Sequence, residues 1–114
     1  MSRIYSLYLQ DVVEATERIA SYVENVSQRE FETDQMRVDA VIRNLQIIGE
    51  AVKKFPDSIR KDNPDIAWNE IAGLRNRVTH VYFDVDTNII WDVVQYELPM
   101  LKTQIQHILN EISE

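Results

Sequence analysis

The sequence predicts an all-α, up-and-down four-helix bundle, and three observations support this fold class. Apolar residues recur at steps of three and four through most of the chain, which is the period of an amphipathic helix. No stretch alternates apolar and polar residues as a half-buried strand does. The 114 residues, 45% of them hydrophobic, are enough for one core. We therefore expect a single helical domain over residues 1–114.

The first two helices are predicted from their apolar stripes. The first runs from residue 4 to about residue 27, where a polar run breaks its pattern. Thr33 or Asp34 can cap the second helix, since either side chain can accept an otherwise unpaired backbone N–H. This helix ends before Pro56, because the residue preceding a proline is driven out of the helical region. Gly49 inside it costs roughly 1 kcal/mol relative to alanine, so we expect a close approach by another helix there.

A connector and a short third helix follow. Residues 56–68 contain two prolines and several Asp and Asn turn formers, and they allow one helical turn at residues 58–61. Trp68, at the end of the connector, is expected to pack. The apolar side of the next segment predicts a third helix from about Asn69 to His80.

The fourth predicted helix is long and contains a proline. Asp86 or Thr87 can cap it, and apolar residues at helical spacing continue from Ile90 to Ile112. Pro99 removes one backbone hydrogen bond within it. Because the pattern continues undisturbed beyond the proline, we expect a bend there rather than the end of the helix.

Composition excludes several classes of function. No cysteine is present, which excludes disulfides and thiolate zinc sites, and His80 and His107 are solitary, without a metal-ligand spacing. We expect no bound metal, and we expect His107 to be an ordinary surface residue. No apolar run approaches the about 20 residues that span a membrane, so we expect a cytoplasmic protein without membrane contact.

The charge balance bears on nucleic-acid binding. A net charge of −7 argues against a broad, sequence-independent nucleic-acid surface, which depends on clustered Lys and Arg. However, six of the twelve basic residues lie between positions 53 and 77. The composition therefore leaves room for a local basic surface on an acidic body.

The stretch RNRVTHVY, residues 75–82, is the densest in chemistry. It holds two arginines, an amide, a hydroxyl, a histidine and a tyrosine. A permanent cation, Arg75 or Arg77, beside His80, which titrates near neutrality, is the minimum equipment for metal-free chemistry on a phosphodiester. The alternative is a solvated helix end whose cations complement the helix dipole. Spacing alone does not separate these two interpretations.

Helix geometry does not bring Arg75 and His80 together by itself. At about 100° per residue their side chains stand roughly 140° apart, whereas Asn76 and His80 share a face. Either the long Arg75 side chain reaches round, or the helix frays before His80, or the site is assembled with a second copy of the chain. Arg75 and Tyr82 align if the helix continues that far.

These residues resemble a known family. Arg75-Asn76-(Arg-Val-Thr)-His80-Val81-Tyr82 is similar to the Arg-x4-His-x-Tyr signature of HepT-like HEPN toxins. The preceding IAGLRN fits the usual approach to that signature, and IIGEAVKKFP, residues 47–56, resembles the second-helix stretch of the same family. The likeness covers the whole four-helix plan, from residue 4 to residue 112.

The resemblance implies a metal-independent endoribonuclease toxin without a cofactor, working as a homodimer whose paired motifs line a central cleft. Arg75 and His80 match the catalytic pair of the family, and Asn76 matches the polar residue beside the arginine. RNA is the implied substrate. The implied regulator is a minimal nucleotidyltransferase antitoxin, which adds AMP to Tyr82.

Three further residues are candidates for supporting roles. Glu50 is either a solvated acid or a group that orients Arg75 across the bundle. Arg77 is expected to be the less essential cation, and Thr79 supplies a hydroxyl next to His80. In RNA, a 2′-OH lies next to the scissile phosphate, so a base, an acid and a cation suffice for cleavage.

Two other functions stay open. HEPN domains that only bind nucleotides or partner proteins share the bundle and can share the Arg/His pair, so a non-catalytic binding module associated with a nucleotidyltransferase is the main alternative. A purely structural dimer with an idle motif is the third interpretation. The complete set of Arg75, Asn76, His80 and Tyr82 favours the ribonuclease, whereas the acidic total charge favours a protein partner.

Overall fold

The computed structural model describes residues 3–78 and 85–113, and it confirms the predicted all-α bundle. In chain order the helices are α1 (Arg3–Val23), α2 (Gln28–Thr33), α3 (Gln35–Lys53), α4 (Asp57–Asp62), α5 (Trp68–Ala72), α6 (Leu74–Val78), α7 (Thr87–Asp92) and α8 (Leu98–Ser113). A π-helical turn, Val93–Glu97, joins α7 to α8. Among the helices of these two ranges, none is long and apolar enough to cross a membrane.

The bundle has four arms arranged around one core. Helix α1 packs against α3 and α8, while α5 and α6 pack against α3, and α6 also contacts α7. The arms are therefore α1, α3, the pair α5–α6, and the continuous run from α7 to α8. The core residues that are fully buried include Leu9, Val12, Ile19, Val41, Leu45, Ile48, Val52, Val78, Ile90 and Ile105.

The polar run after α1 holds a helix that the sequence prediction missed. Ser27 and Glu30 form a capping box around the start of α2: Ser27 Oγ accepts the Glu30 N–H at 3.1 Å, and Glu30 Oε1 accepts the Ser27 N–H at 3.3 Å. Phe31 is the buried residue of α2, and its ring centroid lies 5.6 Å from that of Trp91. The buried Phe31 ring thus packs α2 against the core, although the sequence around it is polar.

The predicted caps of the second and fourth helices are confirmed. Asp34 Oδ1 accepts the Arg37 N–H at 3.2 Å at the start of α3, and Asp86 Oδ1 accepts the Ile89 N–H at 3.1 Å at the start of α7. Asp34 also binds the Arg37 guanidinium. The hydrogen bonds that Asp34 accepts from the side chain and the backbone N–H of Arg37 keep the pKa of Asp34 below its ordinary value.

The connector matches its prediction. The helical turn expected at residues 58–61 is α4, and Trp68 is 8% exposed. The Trp68 indole Nε1–H donates to the Asn63 carbonyl oxygen at 3.0 Å, and its ring packs edge-on against Phe55 with centroids 5.7 Å apart. The polar tip of the indole is therefore satisfied while its rings are buried.

The prediction of one continuous third helix from Asn69 to His80 is wrong. The structure has α5 and α6 instead, separated at Gly73. The Gly73 N–H closes α5 by donating to the Asn69 carbonyl oxygen at 3.1 Å, and the Gly73 carbonyl oxygen opens α6 by accepting the Arg77 N–H at 3.0 Å. A glycine holds helical dihedral angles least strongly, so the break falls there. His80 lies outside the described residues.

Gly49 confirms the expected close approach between helices. A Cβ atom at this position would lie 2.9 Å from the Ala72 carbonyl oxygen, closer than side chains approach backbone oxygens. The missing side chain therefore lets α3 touch the end of α5. The contact between α3 and the end of α5 therefore sets the position of Gly73 and of α6, which follow directly in the chain.

The long C-terminal arm changes its hydrogen bonding just before Pro99. In the π-helical turn the Leu98 N–H donates to the Val93 carbonyl oxygen, five residues earlier. Pro99 has no N–H, and its ring crowds the carbonyl group four residues before it. The wider π turn makes room for the ring. The arm continues as α8, so it does not end at the proline, as predicted.

Candidate active site

Helix α6 carries the part of the RNRVTHVY motif that the structure describes. The described residues of this helix, Leu74–Val78, begin directly after Gly73 and are held in place by packing. Leu74 and Val78, four residues apart, are 1% and 0% exposed and form its buried face. Between them Arg75 and Arg77 are half-buried, and Asn76 is exposed. The site is thus a short polar surface on a firmly buried turn.

Arg77 is bound by a carboxylate from the neighbouring arm. Its two terminal nitrogens donate to the two carboxylate oxygens of Glu97, at 2.8 and 3.0 Å. This bidentate pair fixes the plane of the guanidinium as well as its position. The pKa of Arg77 is raised above its ordinary value, first by this hydrogen bond, and the charges of Glu97 and Glu70 add to the effect. Arg77 is therefore already paired within the protein.

Arg75 differs from Arg77 in its surroundings. Across residues 3–78 and 85–113, no hydrogen bond or ion pair engages the Arg75 side chain. Two residues along a helix correspond to about 200°, so Arg75 leaves α6 on nearly the opposite side from Arg77. Within the described ranges Arg75 is therefore the arginine of α6 without a carboxylate partner, and the exposed residue Asn76 follows it in sequence.

Thr79, His80 and Tyr82 lie outside the described residues. The residues on either side of that segment are tied together, because the Asp86 N–H donates to the Val78 carbonyl oxygen at 2.8 Å. This bond places Val78, the last described residue of α6, next to Asp86, the cap of α7.

Glu50 and His107 have ordinary surface contacts. The Glu50 carboxylate lies 3.5 Å from Lys53 Nζ, with side chains 59% and 56% exposed, and within the described ranges it has no bond to Arg75. This is the arrangement of a solvated acid, one of the two alternatives for Glu50. His107 Nε2 lies 2.9 Å from the Glu111 carboxylate, and its side chain is 71% exposed.

Glu97 is the residue of this region that sequence reasoning missed. It stands 20 residues from Arg77, and one acid among the polar positions of a long helix gives no local signal. Pro99 was the only indication, since a proline inside a helix predicts a local change of geometry. That change is the π turn, which ends at Glu97.

A groove of about 250 Å³ opens beside α6. It is lined by residues of α5, α6, the π turn and α8, among them Leu74, Leu101 and Glu97. Tyr96 and Met100 also line it, and they are 72% and 61% exposed. Large exposed apolar side chains grouped around a groove are typical of a protein–protein contact surface.

The all-α bundle, whose third arm carries the Arg75-Asn76 pair, is consistent with a HEPN-like fold. Comparison with known proteins gives the family. The chain matches the family described as HepT-like, "Ribonuclease HepT-like", over residues 12–108. The chain therefore belongs to the HepT-like ribonuclease family.

Relatives from archaea and bacteria agree with this assignment. The chain is 36% identical over 108 residues to the "Probable ribonuclease HepT" of Thermococcus cleftensis, which covers 95% of this chain and 98% of that protein. It is 37% identical over 105 residues to a "Putative RNase" of Methanocaldococcus jannaschii, covering 92% and 87% of the two chains. A "Putative RNase" of Caldanaerobacter subterraneus is 36% identical over 104 residues, covering 91% and 93%. No solved structure gives a significant match.

Proposed function

We propose that the chain is a metal-independent endoribonuclease toxin that cleaves RNA through Arg75 and His80. The observation that carries this proposal is the difference between the two arginines of α6. Arg77 is bound by Glu97, whereas Arg75 has no partner within the described ranges. A half-buried, unpaired guanidinium beside the Asn76 amide suits bidentate contact with phosphate oxygens. Relatives named as ribonucleases support RNA as the substrate.

The proposed reaction uses the nucleophile that RNA itself carries. A base removes the proton of the 2′-OH, and the 2′-oxygen attacks the adjacent phosphorus. The bond from phosphorus to the 5′-oxygen breaks, and an acid protonates that oxygen. Arg75 stabilises the charge on the non-bridging oxygens. A histidine that titrates near neutrality suits both proton transfers, and His80 is the histidine of the motif.

The experiment for this proposal measures cleavage of a labelled RNA by the purified chain in the presence of EDTA. Arg75→Ala and His80→Ala should each reduce the rate by at least about 100-fold, because each removes a group that acts on the phosphate. Arg29→Ala is the matched control, since Arg29 is an exposed arginine of α2. Its rate should equal that of the wild type.

Two results would contradict the proposal. Cleavage that stops in EDTA and returns with added metal would exclude the metal-independent mechanism. Equal cleavage rates for His80→Ala and the wild type would exclude His80 as an acting group. No cleavage by the wild type would favour the alternative, a non-catalytic nucleotide- or partner-binding module associated with a nucleotidyltransferase.

We further propose that two copies of the chain act together. Cleavage needs a base and an acid, whereas the motif contains one histidine, so a two-fold axis would bring a second His80 to the site. The groove between α6 and α8 supports association of two copies, because Tyr96 and Met100 leave a large apolar surface uncovered next to the motif helix. A second copy seated on the groove would cover that surface.

Light scattering at micromolar concentration tests the homodimer. The wild type should have twice the mass of one chain, and the double variant Tyr96→Glu, Met100→Glu should be monomeric and inactive. Met36→Glu is the matched control, because Met36 is 83% exposed on α3 and does not line the groove. A monomeric wild type that cleaves RNA would contradict the composite site.

We also propose that a minimal nucleotidyltransferase antitoxin silences the toxin by adding AMP to Tyr82. Tyr82 lies two residues beyond His80, so a linked nucleotide brings bulk and negative charge to the place where the RNA phosphate binds. Tyr82→Phe should therefore still cut RNA but escape neutralisation when co-expressed with the partner. The intact mass of the purified chain reports the adduct. Full neutralisation of Tyr82→Phe, or an adduct on another residue, would contradict this mode of control.

A further inference from the structure

We propose that Glu97 is a positioning residue of the site, which acts by holding Arg77 and thereby orienting Arg75. The inference rests on the proposed ribonuclease function, and it assigns Glu97 no contact with RNA. Three features of the described residues carry it: the single buried stripe of α6, the geometry of the Arg77–Glu97 pair, and the π turn that presents Glu97.

The first feature is that packing alone leaves one rotation of α6 poorly fixed. Leu74 and Val78 are one helical turn apart and form a single buried stripe. A helix held by one buried stripe can roll about that stripe, because contacts along a single line do not fix rotation about it. The Asp86 N–H bond to the Val78 carbonyl oxygen holds the backbone at the last described residue of α6, and a second contact, away from the stripe, restricts the rotation further.

The Arg77–Glu97 pair is that second contact. Its two parallel bonds, 2.8 and 3.0 Å long, join α6 to the arm formed by α7 and α8. The side chains are 33% and 44% exposed, so the pair is only partly screened by water. Because Arg75 lies about 200° from Arg77, fixing Arg77 towards Glu97 directs Arg75 to nearly the opposite side of α6.

The π turn explains why Glu97 is in reach. Val93 and Val94 are both buried, and the next three residues are all exposed. A π turn accommodates one residue more than an α turn, which rotates the flanking positions by about 100° relative to a regular helix. Glu97 is the last residue of the turn, directly before buried Leu98. The proline that follows, Pro99, thus contributes to the site through the helix geometry that it imposes.

The test compares Glu97→Gln with the wild type in RNA cleavage at saturating and limiting substrate. Glutamine keeps the size of the side chain but loses the charge and one of the two acceptor oxygens. A misoriented Arg75 should lower kcat by about tenfold and change KM by less than about threefold, since positioning is felt mainly in the transition state. The double variant Arg77→Glu, Glu97→Arg exchanges the two charges and restores an ion pair, so it should recover most of the kcat that Glu97→Gln loses.

Hydrogen exchange of backbone amides gives a second readout that does not depend on activity. Glu97→Gln should speed exchange in residues 74–78 while leaving exchange in α1 unchanged. Glu111→Gln is the matched control, because Glu111 forms an exposed pair with His107, also on the C-terminal arm. It should match the wild type in kcat and in exchange.

The outcomes separate the two proposals. If His80→Ala is inactive while Glu97→Gln has the kcat and exchange of the wild type, the positioning role is wrong and the ribonuclease remains. A fall in kcat accompanied by equally faster exchange in α1 would also overturn the inference, since it would indicate general loss of stability. If His80→Ala and the wild type cleave equally, the proposed function itself fails.

Discussion

Replacing Gly49 with alanine tests how the fold positions the motif helix. Gly49 lies in α3, and an added Cβ atom would lie 2.9 Å from the carbonyl oxygen of Ala72 and 3.5 Å from that of Ile71. Both atoms belong to the backbone of α5, which cannot turn aside as a flexible side chain can. Helices α3 and α5 must therefore move apart, and Gly73 and α6 move with the end of α5.

Two opposing effects set the size of the change. Alanine is favoured over glycine in a helix by roughly 1 kcal/mol. Overpacking of a well-packed contact costs about 1–3 kcal/mol, and the upper part of that range applies because backbone atoms are in the way. The net expectation is a loss of about 1–2 kcal/mol in the free energy of unfolding. For a domain of this size the melting temperature should fall by about 3–10 °C.

Gly73→Ala provides the matched control. A Cβ atom there would meet the nearest backbone oxygens at 3.5 and 3.9 Å, which is ordinary contact, and φ is −98°. The substitution should be neutral or stabilise the fold by up to about 1 kcal/mol, because alanine restricts the unfolded chain. Thermal and urea unfolding of both variants measure the difference. A Gly49→Ala protein as stable as Gly73→Ala would refute the close-approach argument.

Three further predictions concern stability, pH and toxicity. Phe31→Ala should lower the free energy of unfolding by about 3–5 kcal/mol and release α2, seen by urea unfolding and amide exchange, because Phe31 is that helix's buried anchor; an effect below about 1 kcal/mol would contradict this. The pKa of Asp34 is lowered in the folded state, so its charge stabilises the fold at pH values above the ordinary pKa of aspartate. This stabilisation is lost as the pH falls through the folded-state pKa. The wild type should therefore unfold at a higher urea concentration than Asp34→Asn, and this difference in midpoint should shrink below about pH 4. A difference in midpoint that does not depend on pH would exclude the charge of Asp34 as its source. Cells expressing the chain alone should stop growing, whereas cells expressing His80→Ala should grow normally; equal growth would contradict the toxin proposal.

Local signals in the sequence predicted much of the fold. The caps at Asp34 and Asp86 and the close approach at Gly49 each follow from the chemistry of one residue and its neighbours, and the structure confirms them. The burial of Trp68 belongs to the same group. Helix α2 was missed although Ser27-x-x-Glu30 is a local capping-box signal, because its buried anchor Phe31 contacts Trp91, 60 residues away in sequence.

The site depends more strongly on contacts distant in sequence. The motif alone treats Arg75 and Arg77 as two similar cations, and only the pair with Glu97 distinguishes them. The division of the predicted third helix at Gly73, by contrast, has a local cause in the weak helical preference of glycine. The site residues therefore stay a prediction from the motif, whereas tertiary contacts distinguish Arg77, which is paired with Glu97, from Arg75.

The chemical ends of the cleaved RNA test the central proposal most directly. Wild-type protein is incubated with a defined RNA in EDTA, and the fragments are examined by mass spectrometry. Attack by the 2′-oxygen, with Arg75 and His80 as the acting groups, predicts a 2′,3′-cyclic phosphate on the upstream fragment and a 5′-hydroxyl on the downstream fragment. Fragments that carry a 3′-hydroxyl and a 5′-phosphate, or intact RNA after incubation, would contradict the proposed function.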